Sequence, residues 1–414
     1  MECATLEVFP GLNSLISPER FTRVDRAVQT MFSKTLYSTE NGLPFIITGD
    51  IPAMWLRDST WQVKPLLKSQ HPDVISLLTQ LSKSQIQLFL KDPYANAFNP
   101  EPNGNCWHRD FPDQSPWVFE RKFELDSWAS ILYLSRKIKE NFRITQHLDS
   151  EFTKALDVMF ELARREQNHD SDSYIFKRSN NVPHDSLSHD GYGAPVGHTG
   201  MIYSAFRPSD DACVYGYLIP SNFFFMNELK QLVLDSHKAS GIALAQEIEA
   251  GIEKFALING IYAYEVDGLG NSLFIDDANV PSLLSLPYLG VLPADNPHYL
   301  QTREFILSKK NPYYFSGTKA NGIGSQHTPD NHVWPIAIAV EALTSINKDD
   351  CAKALDLLEK TDARTGFMHE SFNVDDDTQF TREWFSWSDM TYVDLVLESV
   401  DYKNWARTSC KDKK

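Results

Sequence analysis

The feature that most constrains the fold is a succession of helical-period segments separated by long irregular stretches. Residues 123–142 read FELDSWASILYLSRKIKENF, and their apolar side chains recur every three to four positions, the spacing of one buried helix face. The same period appears in five further segments: residues 151–167, 221–236, 241–255, 333–345 and 352–361. Strand-like alternation is scarce, with short candidates at residues 174–176, 261–266 and 367–368. The pattern therefore predicts an all-α protein.

The stretches between these segments are long and rich in Pro, Gly, Asn and Asp. They cover residues 92–116, 179–200, 268–282 and 311–329. Loops of this length in compact domains usually carry function. Helices alternating with such loops predict a closed ring of helical hairpins with a site at one mouth. No short repeat of fixed period is present, which argues against a solenoid.

Composition and net charge limit the classes of partner that the protein is expected to bind. Hydrophobic residues make up 42% of the 414 residues and charged residues 23%, which is ordinary for a globular chain and excludes disorder. There are 39 Lys and Arg against 55 Asp and Glu, a net charge of −16. An acidic surface repels phosphate, so we expect neither nucleic acid nor an anionic membrane as the main partner. No run of 18 apolar residues is present, so no membrane span is expected.

The cysteines and the first residues favour a reducing compartment. The five cysteines are widely spaced and form no CxxC pair, which predicts free thiols: Cys3, Cys106, Cys213, Cys351 and Cys410. The chain starts MECATLEVFPGLNSL, without a basic or apolar leader region. We therefore expect a cytoplasmic protein.

The densest polar and aromatic cluster spans residues 48–64, TGDIPAMWLRDSTWQVK. An ion pair of Arg57 with Asp58 and a core position for Trp55 would explain single residues. They explain the whole span less well, because so many polar groups between apolar ones need partners. Carboxylates beside an indole suit a sugar, since its hydroxyls bind carboxylates and its C–H face stacks on the ring.

A second cluster, FRPSDDACVYGYLIPSN at residues 206–222, contains the adjacent carboxylates Asp210 and Asp211 after Arg207. One explanation is a helix start, where Ser and Asp act as caps. The other is catalysis, because adjacent like charges raise one pKa, as a general acid requires. The two explanations are compatible.

A third cluster, GFMHESFNVDDDTQFTREWFSW at residues 366–387, contains Glu370 and Glu383. Its three consecutive aspartates lack the Gly and later Glu of a calcium loop and predict a solvated turn. The chain has no HExxH, HxH, GxSxG, P-loop or GxGxxG pattern, so no metal site or cofactor is predicted. Many carboxylates with many aromatics and a few Arg and His are typical of glycoside hydrolysis.

These blocks resemble glycoside hydrolase family 125, the exo-acting α-1,6-mannosidases. The resemblance rests on TGDIPAMWLRDS, FELDSW, FRPSDDACVYGYLIPSN, FIDDANVPSLLSLPYLG, GIGSQHT, and GFMHESF with TREWFSW, between residues 48 and 387. It implies an (α/α)6 toroid of six helical hairpins, an inverting mechanism and no metal requirement. Because the blocks span most of the chain, we expect one catalytic domain over residues 1–414.

The resemblance also implies roles. An inverting glycosidase needs a carboxylic acid on the leaving oxygen and a carboxylate that activates water. The acid is expected at Asp210, with Asp211 as the close alternative, and the base at Glu370, with Glu383 as the alternative. The role of Asp389 is left open. The residues expected to bind the sugar are Asp50, Trp55, Arg57, Asp58, Glu124, Asp126, Arg207, Asn279 and His327.

The predicted function is release of terminal α-1,6-linked mannose from mannosides or N-glycan-derived oligosaccharides by a monomer or weak homo-oligomer. Two alternatives remain open at this point. An epimerase or phosphorylase on the same fold would need paired histidines or an anion pocket, and a mannose-binding module would lack a working carboxylate pair.

Overall fold

The computed structural model describes residues 4–170, 172–180 and 182–409, and helices dominate it. Their bounds are α1 Thr5–Val8, α2 Pro18–Thr30, α3 Leu56–Val63, α4 Pro72–Phe89, α5 Leu125–Phe142, α6 Ser150–Glu166, α7 Ile219–Lys230, α8 Asp235–Phe255, α9 Pro297–Ile306, α10 Pro335–Leu343, α11 Asp349–Lys360, α12 Ser386–Ser399 and α13 Tyr402–Ser409. The all-α prediction is confirmed.

The helices sort into an inner and an outer layer by burial. Every residue of α3 is buried, and α7 and α12 are buried over nearly their whole length. By contrast, α2, α6 and α11 bury one face only, as amphipathic helices at a surface do. In the inner layer α3 packs against α5 and α12, α5 against α7, and α10 against α12. Outer helices α4, α8 and α11 pack on α5, α7 and α10.

Several outer helices begin with a side-chain cap, whereas the outer helices α8 and α11 and all the inner helices begin without one. Outer helices α2, α6 and α9 start at Ser17, Asp149 and Asn296, whose side chains accept hydrogen bonds from backbone N–H groups of the first turn. The inner helices α3, α5, α7, α10 and α12 start without such a side-chain cap. Their N-terminal ends are therefore the electropositive parts of the ring.

Short antiparallel strands lead into this same end. Their bounds are β1 Leu36–Ser38, β2 Pro44–Ile46, β3 Met54–Trp55, β4 Ala97–Phe98, β5 Val118–Glu120, β6 Tyr217–Leu218, β7 Leu257–Ile258, β8 Ile261–Tyr262, β9 Glu265–Val266, β10 Ser272–Leu273, β11 Tyr314–Ser316, β12 Asn321–Ile323, β13 His332–Val333, β14 Ser371–Asn373 and β15 Phe380–Thr381. The three-stranded sheets have the orders β3-β4-β5, β10-β9-β6 and β13-β14-β15. Because β3, β6 and β13 run almost directly into α3, α7 and α10, each sheet fixes the entry of one inner helix.

Five of the six predicted helices are confirmed, with shifted ends. The prediction of a single helix at residues 221–236 is wrong, because this segment spans the end of α7, a break at residues 231–234 and the start of α8. Of the predicted strands, residues 261–266 hold β8 and β9, whereas residues 174–176 and 367–368 form none. Cys106, Cys213 and Cys351 are free thiols, while Cys3 and Cys410 lie outside the described residues. Within the described ranges, no helix is both long and apolar enough to cross a membrane.

Candidate active site

A cavity of about 290 Å³ lies at the N-terminal ends of the inner helices. Its wall includes Trp55, Trp334 and Phe385, the residues that immediately precede α3, α10 and α12. A helix N-terminus carries partial positive charge and so stabilises nearby carboxylates. Asp58 and Asp126 occupy the first turns of α3 and α5. The fold thus concentrates acidic side chains at this end of the ring.

Arg57 is buried at the base of the cavity and faces four carboxylates. Its Nη1 donates hydrogen bonds to Glu124 and, at 3.2 Å, to Asp126. Its Nε lies 3.5 Å from Asp58, and its Nη2 lies 3.9 Å from Asp210. Arg57, Asp58 and Asp210 line the cavity, whereas Glu124 and Asp126 are fully buried. Glu124 and Asp126 are absent from the wall, and both contact its residue Arg57.

Asp210 and Asp211 lie in a tight hairpin turn. The backbone N–H of Arg207 donates to the carbonyl of Asp211 at 2.8 Å, and Asp210 adopts a left-handed φ of 65°. This region is sparsely populated by residues other than glycine, although Asp tolerates it. Helix α7 begins only at Ile219, so the helix-start explanation of the two aspartates is wrong.

The turn separates the two aspartates. The side chain of Asp210 is 24% exposed and lines the cavity. That of Asp211 is 1% exposed and accepts a hydrogen bond from Ser209 Oγ at 3.1 Å. Ser209 Oγ also lies 3.0 Å from Asp277, which ties the turn to the loop before the buried turn at residues 282–289. The arrangement presents Asp210 to the cavity and places Asp211 behind it.

The buried carboxyls around Arg57 do not titrate alike. Burial acts to raise the pKa of Asp210, but Lys122, a hydrogen bond with Glu124 and the Arg57 charge hold it below its ordinary value. Burial raises the pKa of Glu124 well above its usual range, against the pull of Arg57. The raised pKa that the sequence predicts for the Asp210–Asp211 pair is therefore found one layer deeper, on Glu124.

Asp58 is a second carboxyl with a displaced pKa. Burial, only partly offset by Arg57, raises its pKa to about 6. Its Oδ1 has no hydrogen-bond partner among the described residues, although the atom is buried. This oxygen has, in the chain as described, only the ion-pair contact with Arg57 Nε at 3.5 Å, so it is suited to accept a hydrogen bond from a ligand hydroxyl.

Glu370 lines the cavity next to strand β14, and its side chain is 8% exposed. Arg382 Nη1 donates to its Oε1 at 3.2 Å. The same guanidinium binds Asp50 through Nε at 3.0 Å and packs over the ring of Phe385. Arg382 therefore fixes the carboxylate of Glu370 and offsets its charge. Sequence reasoning assigned Arg382 no place in the site, because its partners lie up to 332 positions away.

A basic wall that sequence reasoning also missed is formed by Lys122 and Arg178, both nearly buried and both in the cavity wall. Lys122 Nζ donates to the backbone carbonyl of Asp210 at 2.6 Å and to Asp185 at 3.2 Å. Arg178 Nη2 donates to Glu120 at 2.9 Å. Lys122 thus holds the Asp210 turn, and both cations balance part of the negative charge.

An aromatic row leads from the inner wall to the mouth. Trp55 is 3% exposed, whereas Trp107 is 53% exposed, and both line the cavity. Phe119 lies between them, with ring centroids 5.7 Å from Trp55 and 5.5 Å from Trp107. The row offers stacking surface both inside the cavity and at its entrance.

Two further wall residues present polar groups. Asn279 Nδ2 and Trp55 Nε1 are buried donors without a hydrogen-bond partner in the described part of the chain. His327 Nδ1 lies 3.9 Å from Asp211. Burial opposes its charge, but Asp211, Glu370 and Asp210 raise the pKa of His327 to about 9, so it is an imidazolium at neutral pH.

Besides Glu124, Asp126 and Asp211, three more predicted site residues lie outside the wall. Arg207 binds Glu265 through Nε at 2.6 Å in a buried pair. Asp50 binds Arg382 and is about half exposed. Glu383 is exposed, and only its backbone carbonyl contacts the site segment, by accepting from His369. Asp389, whose role the sequence left open, accepts from the Met368 N–H at 2.7 Å and so holds the segment before Glu370.

No group of three or more His, Cys, Asp or Glu side chains among the described residues is arranged to hold a metal ion.

Known proteins with a similar sequence or structure identify the fold class of this architecture. A structure of a metal-independent α-mannosidase from Streptococcus pneumoniae, in a non-productive complex with α-1,6-mannobiose, is 41% identical, with a TM-score of 0.92, and the match covers 95% of this chain and 98% of that one. The meiotically up-regulated gene 157 protein of Schizosaccharomyces pombe is 38% identical over 406 residues, covering 88% of this chain and 78% of that protein. A bacterial glucoamylase complexed with acarbose shares the fold alone, at 13% identity and a TM-score of 0.59 over 96% of this chain and 57% of that one.

The two helical layers, with a carboxylate-lined cavity at one end, define an (α/α)6 toroid of the kind found in glycosidases. The family model of the metal-independent α-mannosidases matches residues 19–397. The chain belongs to that family, glycoside hydrolase family 125, and is an α-mannosidase by class.

Proposed function

We propose that the protein is an exo-acting, inverting glycosidase that releases terminal α-1,6-linked mannose from mannosides or N-glycan-derived oligosaccharides. Asp210 acts as the general acid and Glu370 as the general base. The observation that carries the proposal is the presence of both carboxyls in the wall of one small cavity. A volume of about 290 Å³ is at the lower end for ligand sites, which suits one sugar unit and an exo-acting enzyme.

The choice within each pair of alternatives follows from burial. Asp210 reaches the cavity, whereas Asp211 is hydrogen-bonded behind it and lies near His327. Glu370 is in the wall and held by Arg382, whereas Glu383 is exposed outside it. The α-1,6 linkage is supported by the mannobiose bound to the Streptococcus pneumoniae relative.

In the proposed reaction, Glu370 takes a proton from a water molecule as that water attacks the anomeric carbon. Asp210 gives a proton to the glycosidic oxygen on the opposite face of the sugar ring, and β-mannose leaves. Asp58, Asn279 and Trp55 present unpartnered polar atoms that bind hydroxyls of the mannose. His327 adds positive charge beside the two reacting carboxylates.

The test uses Asp210→Asn and Glu370→Gln with α-1,6-mannobiose as substrate. Each should lower kcat by about 10²- to 10⁴-fold, the usual contribution of a general acid or base. Glu383→Gln is the matched control, because it makes the same change outside the cavity, and it should keep kcat within about twofold, the range of ordinary surface substitutions.

Full turnover in both site variants would overturn the assignment of the acid and the base. The anomer released first, followed by NMR, tests the stereochemistry separately, and initial α-mannose would exclude inversion. Mannose binding without any hydrolysis by the wild-type protein would favour a binding module instead.

A further inference from the structure

The charges around Arg57 do not balance if every carboxyl is ionised. One guanidinium faces Asp58, Glu124, Asp126 and Asp210 within 3.9 Å. Three of these four side chains are at most 8% exposed, so water screens them poorly. Isolated buried charge is costly, and such a group takes up a proton instead. The cluster is therefore expected to retain a proton.

Asn96 shows where that proton is held. Its buried side-chain nitrogen lies 3.2 Å from Glu120 Oε2, 3.2 Å from Glu124 Oε1 and 3.1 Å from Asp210 Oδ1. An amide NH2 has two hydrogens, so it can give full hydrogen bonds to only two of these three acceptors. Glu120 also accepts from Arg178 at 2.9 Å and so has a cation of its own. Glu124 and Asp210 both contact Asn96 and Arg57. A proton shared between these two carboxyls would reduce their repulsion and complete their hydrogen bonding.

The surroundings of Glu124 come from four parts of the chain. Ser127 Oγ donates to its Oε2 at 3.4 Å, and Glu124 Oε1 and Asp210 Oδ1 both lie within 3.2 Å of Asn96 Nδ2. Two carboxyls can hydrogen-bond to each other only when one of them carries a proton. The titratable and charged groups that face this pair are Arg57, Asp58, Glu120, Lys122, Asp126, Cys213 and His327.

We propose that Glu124 is the proton partner of Asp210: in the free enzyme it holds the proton that Asp210 delivers to the glycosidic oxygen. The inference deepens the proposed function and rests on Asp210 being the acid. Glu124 does not line the cavity and touches no substrate, so it is a positioning residue that acts through Asp210.

The proton balance closes over one turnover. In the resting site Glu124 is a carboxylic acid and Asp210 a carboxylate. Glu124 first passes its proton to Asp210, and as the glycosidic bond breaks its oxygen takes that proton from Asp210. The attacking water forms the new bond to the anomeric carbon and gives a proton to Glu370. Glu370 then releases that proton to solvent, and the pair of Glu124 and Asp210 takes one up.

The direction of both pKa shifts agrees with this resting state. Burial raises the pKa of Glu124, whereas Lys122 and Arg57 help to hold that of Asp210 down. Asp210 without its neighbour would thus be a weak source of protons at neutral pH. Glu124 solves this difficulty, because it lies out of solvent and beside the acid.

The test compares two substrates that differ in their need for a proton. α-1,6-Mannobiose has an alcohol leaving group that must be protonated, whereas α-mannosyl fluoride releases fluoride without general acid help. Glu124→Gln should lower kcat on mannobiose by about 10²-fold or more and leave kcat on the fluoride within a few-fold. The same variant should move the basic limb of the mannobiose pH profile to lower pH.

Asp126→Asn is the matched control, because Asp126 is equally buried and binds the same guanidinium. Any loss in this variant should be the same for both substrates. Equal losses on both substrates in Glu124→Gln would reduce Glu124 to a structural role and overturn the inference. So would full turnover of mannobiose by Glu124→Gln.

Asp210→Asn distinguishes a failure of the acid assignment from a failure of the proton-partner inference. If it loses mannobiose turnover while Glu124→Gln does not, the acid assignment stands and the proton-partner inference is wrong. If Asp210→Asn itself keeps full turnover, the proposed acid is wrong and the inference falls with it.

Discussion

Asp394, a buried residue of α12, carries the sharpest prediction about stability. Its Oδ2 accepts from Lys64 Nζ at 2.5 Å and from the hydroxyl of Tyr288 at 2.9 Å, and its Oδ1 binds Lys68. The carboxylate is fully buried, and the two lysine side chains are only 12% and 9% exposed. Asp394→Asn removes the charge and leaves two poorly hydrated ammonium groups without it.

Breaking a buried ion pair by removing one partner costs about 3–5 kcal/mol. Unfolding entropy of about 2.1 cal/mol/K per residue, over the 414 residues, gives about 0.87 kcal/mol/K. The expected fall in Tm is the ratio of the two quantities, about 3.5–6 °C.

Differential scanning calorimetry of the wild type and the variant measures this shift. Asp356→Asn is the control, since Asp356 makes the same type of contact with Arg20 at 3.2 Å but is 62% exposed. Its loss should stay below about 0.5 kcal/mol, less than about 1 °C. If Asp394→Asn lowers Tm no more than Asp356→Asn does, the argument from burial is refuted.

The pH dependence follows from the same contacts. Burial alone would raise the pKa of Asp394, but Lys64 and Lys68 hold it well below its usual range. A depressed folded pKa gives stability that is complete above the unfolded value of about 3.9 and is lost as pH falls toward the folded value. The Tm gap between wild type and Asp394→Asn should therefore be constant from about pH 5 to 8 and narrow below about pH 4.

Three further predictions concern the site. Trp107→Ala should raise KM for mannobiose about 2- to 10-fold, the equivalent of one aromatic contact, and leave KM for α-mannosyl fluoride unchanged. The control is Trp117→Ala, because Trp117 stands in the same loop but outside the cavity wall. NMR titration of His327 should give a midpoint near 9, and Asp211→Asn should bring it toward 6.5. Burial raises the pKa of Asp389 to about 8, so the folded protein favours the protonated carboxyl. The free energy of unfolding should therefore fall as pH rises from about 4 to 8. Asp389→Asn should flatten that part of the curve of Tm against pH.

Periodicity predicted helices of both layers, the outer α6, α8 and α11 and the inner α5 and α10. The segment at residues 151–167 is one-sided and became α6. Helix α3 was missed, since it is buried on every side and mixes Arg57, Asp58 and Gln62 with apolar residues. In a helix that is buried on every side, polar residues mark the functional site and not a face exposed to solvent. The sequence therefore predicted a cluster at this position but not the helix that presents it.

The site was predicted in part for a related reason. Trp55, Arg57, Asp58, Asp210 and Glu370 stand in dense polar and aromatic clusters, and the structure places them all in one wall. Other wall and support residues stand alone in the sequence and join the site through distant partners: Asn96, Lys122, Arg178 and Arg382. Their assignment requires the pairing of strands β3, β4 and β5, which periodicity does not supply.

The cations and carboxylates around each site residue are more informative about the site than the net charge of the whole chain, −16. Uncapped N-termini of the inner helices favour carboxylates, and the family chemistry requires two of them in different protonation states. Glu370 pairs with Arg382, which it shares with the half-exposed Asp50, and this pairing supports the proposed role of a base. Asp210 is one of four carboxylates that share Arg57. In the proposed mechanism, one end of the cavity accordingly accepts a proton and the other keeps one.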